Sequence, residues 1–417
     1  MTPSARLQAV IDIIQGIDAT AQPADRFLHD WARARRYAGS KDRAAISERT
    51  YAILRHRSSF AWRMGSADAR ALVIASLLAE GLVADAIAEL FDGKGYGAPA
   101  LSDAERRALS SPPQGEPPLC VRGEFPPFLE PELTRAFGSA LPEEMFAMLG
   151  RAPVDLRANT LKSSRDTVLE ALRAEGFAAE PTRYAPHGLR LPPSEGLSKL
   201  SATALFAGGA FEFQDEAAQI AALLCGAKPG MRVLDYAAGA GGKALALAAA
   251  MENRGEIVAQ DSSPVRLRPL AQRAARAGAT IIHSQPPQGA FDIVLIDSPC
   301  SGTGTWRRQP ELRWRTTPNG LKAVTRLQDE LLEQGAAFVA PGGRLIYATC
   351  SLLPCENENR VAGFLARHGD FAVLPASAVW PEAVGTAPPP GLDRFFKATP
   401  LQTGTDGFFT AVLQRSR

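Results

Sequence analysis

Two cysteines stand where a nucleophile would be useful. The run FDIVLID ends in Asp297 and continues as SPCSGTGTWRRQPELRW, so that Cys300 follows closely; the run GRLIYATC ends in Cys350 and continues as SLLPCENE. Each thiol lies in a turn flanked by Ser, Thr, Gly or Pro instead of inside an apolar stretch. Buried cysteine is ordinarily inert core filling, whereas a thiolate held in a polar turn can add to an electrophilic carbon. The remaining cysteines, Cys120, Cys225 and Cys355, complete no CxxC pair, so neither a disulfide framework nor a metal site is expected.

A second chemical signal is the glycine turn. The strand-like Val233 and Leu234 run through Asp235 into YAAGAGGKALALAAAM, where Gly239, Gly241 and Gly242 let the backbone turn tightly under a ligand before a strong helix former begins. A Walker A loop would need Gly at 237 and Ser or Thr at 244, and both are alanine. Two nucleotide readings stay open. Gly239, Gly241 and Ala244 read as a dinucleotide G-x-G-x-x-A turn, with Asp261 following at a suitable distance. The alternative ligand is S-adenosylmethionine, with Asp261 at the end of EIVAQD accepting from the ribose hydroxyls, since one carboxylate can take two donors.

Two basic stretches could meet a polyanion. Residues 26–63 carry Arg26, Arg33, Arg35, Arg36, Lys41, Arg43, Arg49, Arg55, Arg57 and Arg63 against Asp30, Asp42 and Glu48, interleaved with Trp31, Tyr37, His56 and Trp62. That pattern suits a nucleic-acid surface as well as it suits a solvated helical face. After the Pro-Cys turn come Trp306, Arg307, Arg308, Glu311, Arg313, Trp314 and Arg315, which read either as phosphate forks and stacking platforms or as packed core. Asn159 and Lys162 are candidates for further backbone contacts.

The elements that must position these groups are legible in outline. Apolar residues recur at helical spacing from Ala5 to about Leu90, as in Leu7, Val10, Ile11 and Ile14. Proline pairs at 112 and 113, 117 and 118, and 126 and 127 mark a linker. A strand at 154–161 and a helix at 166–175, capped by Ser164 or Asp166, form a small α+β module. From Gln214 onward RVLDY, EIVAQD, FDIVLID, GRLIYATC and FFTAVLQ alternate with helical segments, as a parallel sheet covered on both faces requires. Sites in such sheets collect at the carboxyl ends of the strands. In 417 residues, 46 Lys plus Arg against 44 Asp plus Glu leave a formal charge of +2, which excludes wholesale coating of nucleic acid but not local patches. The opening MTPSARLQAVIDIIQG lacks the pattern of a signal peptide, and no stretch approaches 18 apolar residues, so a cytoplasmic protein without a membrane partner is expected.

Asp297-Ser298-Pro299-Cys300-Ser301-Gly302, Thr349-Cys350-Ser351, Gln214-Asp215-Glu216, the AAGAGGK loop and Asp406-Gly407-Phe408-Phe409 together resemble the RNA cytosine-5 methyltransferases of the RsmB/Sun family, over essentially all of residues 150–417. The segment SKDRAAISERTYAILRHR is similar to the NusB-like RNA-binding extension of its bacterial ribosomal-RNA branch. The resemblance implies an α/β fold: a class I Rossmann-like methyltransferase domain with a doubly wound, mostly parallel sheet (213–417), preceded by a small α+β module (126–212) and an all-α NusB-like domain with a Pro-rich linker (1–125). It implies Cys350 as nucleophile at carbon 6 of cytosine, Asp297 as the group facing N3 and the exocyclic amine, and Cys300 as the residue assisting elimination. S-adenosyl-L-methionine would be held by Ala237, Ala238, Gly239, Ala240, Gly241, Gly242, Lys243, Asp261, Arg266 and Asp297. The expected partner is RNA, first of all ribosomal RNA, met by a monomer. Transfer RNA as substrate, a non-catalytic ribosome-assembly factor, and a nicotinamide enzyme are the alternatives; the last leaves both thiols unexplained. This chain has Ala240 and Ala244 where the family usually carries proline and threonine, and Ser284 or Gln285 where it usually has an acidic contact to the adenine.

Overall fold

The computed structural model describes residues 1–111, 113–194 and 196–417, so Pro112 of the first proline pair lies outside the described residues. The chain divides into two compact units, one of residues 1–150 together with 306–316, the other of residues 151–305 and 317–417.

The first unit is helical among its described residues. Helices Pro3–Ala19, Ser40–Arg55 and Ala69–Ala79 carry its core, into which Leu7, Val10, Ile14, Ile46, Ile53 and Leu72 are buried. The spacing that predicted these helices is the spacing of the buried face. The later prolines begin short helices: Pro118 precedes Leu119–Arg122, and Pro126 precedes the turn Pro127–Leu129, with Phe125 and Leu129 fully buried between them. Proline fits there because the first turn of a helix leaves its backbone amides unbonded anyway.

The second unit begins with a four-stranded antiparallel sheet in the order β2-β3-β1-β4, formed by β1 (Val154–Ala158), β2 (Glu180–Pro181), β3 (Gly188–Leu191) and β4 (Phe211–Phe213). Helix Arg165–Ala174 packs Val168, Leu169 and Leu172 on it and is capped by Ser164, whose hydroxyl accepts from the Thr167 amide at 3.1 Å.

The larger sheet contains β5 (Arg232–Asp235), β6 (Glu256–Ala259), β7 (Ile282–His283), β8 (Phe291–Asp297), β9 (Val339–Thr349), β10 (Phe371–Leu374), β11 (Phe396–Ala398) and β12 (Phe408–Arg415). Its order is β10-β12-β9-β8-β5-β6-β7, with β11 on β12; β7, β6, β5, β8 and β9 are mutually parallel, and β12 runs against β9. Successive residues of a strand point to opposite faces. Val233, Ile293, Leu295 and Ile346 therefore join one core with helices Glu216–Leu224 and Gly242–Ala250, while Leu234, Val294, Ile296 and Tyr347 join another with helices Pro318–Ala336 and Glu358–Arg367. This is a doubly wound α/β architecture, as the sequence pattern predicts. No helix among the described residues is long and apolar enough to cross a membrane.

Candidate active site

The carboxyl ends of β5, β6, β8 and β9 build the site. Beyond β5, Gly239 and Gly241 adopt φ of +52° and +80°, a left-handed backbone that costs other residues strain. A Cβ on Gly241 would come within 2.1 Å of the Leu270 side chain, which would have to shift, and helix Gly242–Ala250 starts directly after it. Beyond β6, the buried Asp261 accepts from the Gly239 amide at 2.9 Å and from the Ser263 amide at 2.8 Å. Arg266 lies 3.5 Å from the same carboxylate with its own side chain half exposed. Ala237, Ala238 and Ala240 shape the loop, and the Ala240 carbonyl is held by Arg273 at 2.8 Å.

Lys243, on the first turn of that helix, is buried and donates to Asp297 at the end of β8 at 2.6 Å. Burial alone would lower the lysine's pKa, but Asp297, Asp235 and Cys350 outweigh it and hold the ammonium above its ordinary value. Asp235, at the end of β5, is wholly buried, and burial with the added repulsion of Asp297 pushes its carboxyl up to about 7. Its two oxygens have no hydrogen-bond partner among the described residues.

Cys300 and Cys350 bring their sulfurs to 3.3 Å, and both remain free thiols. The bond to Cys350 and burial push Cys300 well above the usual thiol range, and the charges of Cys350 and Glu356 add to the effect. Lys243 attracts negative charge at Cys350. The two sulfurs, alike in chemical type, thus sit in different electrostatic surroundings.

Close backbone stitching fixes the pair. The Ser298 amide donates to Ala348 at 2.8 Å, Gly304 to the Cys350 carbonyl at 2.9 Å, and Leu352 to the Thr303 hydroxyl at 2.7 Å. The Asp406-Gly407 segment reaches the same place: Gly407 donates to Gly304 at 2.8 Å, and the Asp406 amide donates to the helix-capping Asp215 at 3.1 Å. Glu216 is turned elsewhere, accepting from the Tyr184 and Ala185 amides.

Most of the other candidate contacts are committed within the protein. Residues 306–316 are part of the helical unit, and Trp306, Arg313, Trp314 and Arg315 follow the packed of the two readings. Trp306 is fully buried with Arg313 over its ring at 5.0 Å, Arg313 donates to the carbonyls of Glu124 and Met148, Trp314 to that of Leu54, and Arg315 to those of Ile17 and Gln22. Asn159 and Lys162 are likewise committed, donating to carbonyls at 208–209 and 276–277 that end a turn and a helix. Ser284 and Gln285 are exposed, and Gln260 holds their carbonyls. In the 26–63 stretch Arg49 and Arg57 pair with Glu80 and Asp18 and Arg63 binds two carbonyls, while Tyr37 stays exposed. Sequence reasoning passed over Asp235 and Glu356, whose positions at a strand end and beyond a Cys turn were the available signal.

Residues 222–414 match the family described as 16S rRNA methyltransferase RsmB/F, and residues 125–194 match a ferredoxin-like domain described for RsmF/B-like methyltransferases. A probable ribosomal RNA small subunit methyltransferase B of Synechocystis sp. is 34% identical over 304 residues, covering 70% of this chain and 67% of that protein. Among solved structures, PH0851 superposes with a TM-score of 0.77 at 23% identity, covering 100% of this chain and 99% of that one. NSun6 from Pyrococcus horikoshii, solved with SFG, gives a TM-score of 0.61 at 20% identity over 70% of this chain and 99% of that one. The chain belongs to the RsmB/F family of methyltransferases.

Proposed function

We propose that this protein transfers a methyl group from S-adenosyl-L-methionine to carbon 5 of a cytosine in ribosomal RNA, with Cys350 as the nucleophile. The observation that carries the reading is the pair of thiols 3.3 Å apart with the Lys243–Asp297 ion pair beside them. Carbon 5 of cytosine is too weakly nucleophilic to be alkylated directly. The Cys350 thiolate adds to carbon 6, the carbon 5–carbon 6 π electrons move into the ring, and Asp297 holds a proton at N3 or the exocyclic amine as charge builds there. Carbon 5 is then enamine-like and can bond a methyl group. Cys300 assists removal of the carbon 5 hydrogen, after which the electrons of that bond re-form the double bond and expel the Cys350 thiolate. Cytosine must be unpaired or flipped for a thiolate to reach carbon 6.

When bound, S-adenosylmethionine supplies an electrophilic methyl group. Residues 237–243, Asp261, Arg266 and Asp297 are the residues we assign to hold it. They fit: each Asp261 oxygen takes one backbone amide and keeps a lone pair for a ribose hydroxyl. Functionally, we assign RNA capture to residues 1–125, a supporting role to 126–212, and catalysis to 213–417, acting as a monomer in the cytoplasm. Bisulfite sequencing of total RNA from cells with and without the gene tests the reading. One ribosomal cytosine should lose its 5-methyl mark in the deletion; loss in transfer RNA alone, or no loss, would overturn the substrate or the activity.

A further inference from the structure

Beneath the two thiols lies a carboxylate that the reaction does not require by itself. Glu356 is fully buried. One of its oxygens accepts from the Ser301 amide at 2.8 Å and from the Gln328 side chain at 3.1 Å; the other accepts from the Ser301 hydroxyl at 2.5 Å and from the Ser351 hydroxyl. Gln328 also donates to the Pro299 carbonyl at 2.9 Å, and the Tyr347 hydroxyl donates to the Glu356 carbonyl at 2.6 Å. Ser301 follows Cys300 and Ser351 follows Cys350, so one side chain grips both thiol-bearing turns. Every partner is a donor, as an ionised carboxylate requires.

We propose that Glu356 is a positioning residue that clamps the Cys300 and Cys350 turns together and, through its charge, makes Cys350 the sulfur that acts as nucleophile. The groups facing the pair agree in sign. Cys300 is faced by Cys350, by Glu356 and by Tyr347, while the Gly302 amide acts in the opposite sense. Cys350 is faced by the Lys243 ammonium, which Asp297 and Asp235 keep charged. A buried carboxylate on one side and a buried ammonium on the other differentiate two free cysteines whose sulfurs are 3.3 Å apart.

The inference deepens the reading of Cys350 as nucleophile, and its test uses neither RNA nor cofactor, so the two can fail separately. Alkylation of the full chain by iodoacetamide, followed by peptide mass spectrometry with fragmentation to separate Cys350 from Cys355, reads each thiol between about pH 6 and about pH 9. The native protein should label Cys350 well ahead of Cys300. Glu356→Gln keeps the shape and most of the bonds but removes the charge; it should speed Cys300 labelling at neutral pH about tenfold for each unit by which its pKa falls, narrowing the ratio. Glu356→Ala loses the clamp as well and should scramble the preference. A role confined to stability would lower the melting temperature of both variants and leave the ratio alone. A folded Glu356→Gln protein with the native labelling ratio overturns the proposal, whether or not Glu356→Ala folds.

Discussion

At the scale of single residues, identity of type conceals difference of role. Cys300 and Cys350 each follow a strand end, and the sequence alone offers no ground beyond resemblance for telling nucleophile from assistant. Their surroundings differ: the Lys243 ammonium interacts with Cys350, and the Glu356 carboxylate raises Cys300. Cys350→Ala should therefore abolish both methyl transfer and the covalent RNA adduct, whereas Cys300→Ala should form the adduct and release it slowly. A denaturing gel of enzyme incubated with RNA and cofactor would show a retarded band for Cys300→Ala only, and the opposite pattern would reverse the roles. Asp235 gives a second test, through pH. Burial pushes its carboxyl up to about 7 in the folded chain from an ordinary 3.8. Between these values the folded protein binds the proton and the unfolded chain does not, so this group's contribution to stability is full below the lower value and disappears as pH rises through the upper one. Thermal melts of the native protein should accordingly lose stability from about pH 4 to about pH 8 by more than those of Asp235→Asn, in which that slope is absent. Parallel curves for the two proteins would show that Asp235 is not buried as an acid.

At the scale of elements, the backbone geometry of two glycines does what no side chain could. Gly241 turns β5 into its helix with φ of +80° against Leu270, and Gly304 lets β12's approach segment touch the Cys300 loop, where a Cβ would meet the Gly407 carbonyl at 2.1 Å. Gly241→Ala adds left-handed strain of roughly 1–2 kcal/mol to overpacking of about 1–3 kcal/mol. The variant should melt several degrees lower and bind S-adenosylmethionine more weakly by calorimetry; unchanged affinity would remove the loop from the cofactor site. The elements that carry these glycines were readable because buried parallel strands are nearly continuous apolar runs: RVLDY, EIVAQD, FDIVLID and GRLIYATC became β5, β6, β8 and β9. The short edge strands β7, β10 and β11, of two to four residues, were not, since so few residues cannot establish a period. Glu356 was equally hidden: a carboxylate a few residues past a cysteine carries no local mark of the four donors that converge on it.

At the scale of the whole molecule, the near-neutral charge sum turned out to conceal where the arginines are spent. The segment 306–316 has the composition of a phosphate-binding loop, and that composition left two readings open, because a guanidinium that forks to phosphate forks equally well to backbone carbonyls at the ends of helices. Arg313 is fully buried, and burial lowers its pKa to about 10, yet both terminal nitrogens are bonded to carbonyls. Glu311 caps the helix Ala24–Ala34 through the Ala24 amide at 3.0 Å, and Trp314 binds the carbonyl of Leu54 near the end of Ser40–Arg55. The helical unit is thus completed by residues more than 150 positions downstream of its own last helix. Removing the Arg313 side chain strands two buried carbonyl acceptors, at about 1–3 kcal/mol each, so Arg313→Ala should destabilise the intact protein without altering the thiol alkylation pattern. By the same reasoning a fragment of residues 1–150 should melt broadly and at lower temperature, and a synthetic peptide spanning 304–318 should sharpen and raise that transition in circular dichroism. A fragment that unfolds cooperatively at its full temperature without the peptide, together with an Arg313→Ala protein of native stability, would return the segment to the surface and reopen it as an RNA contact.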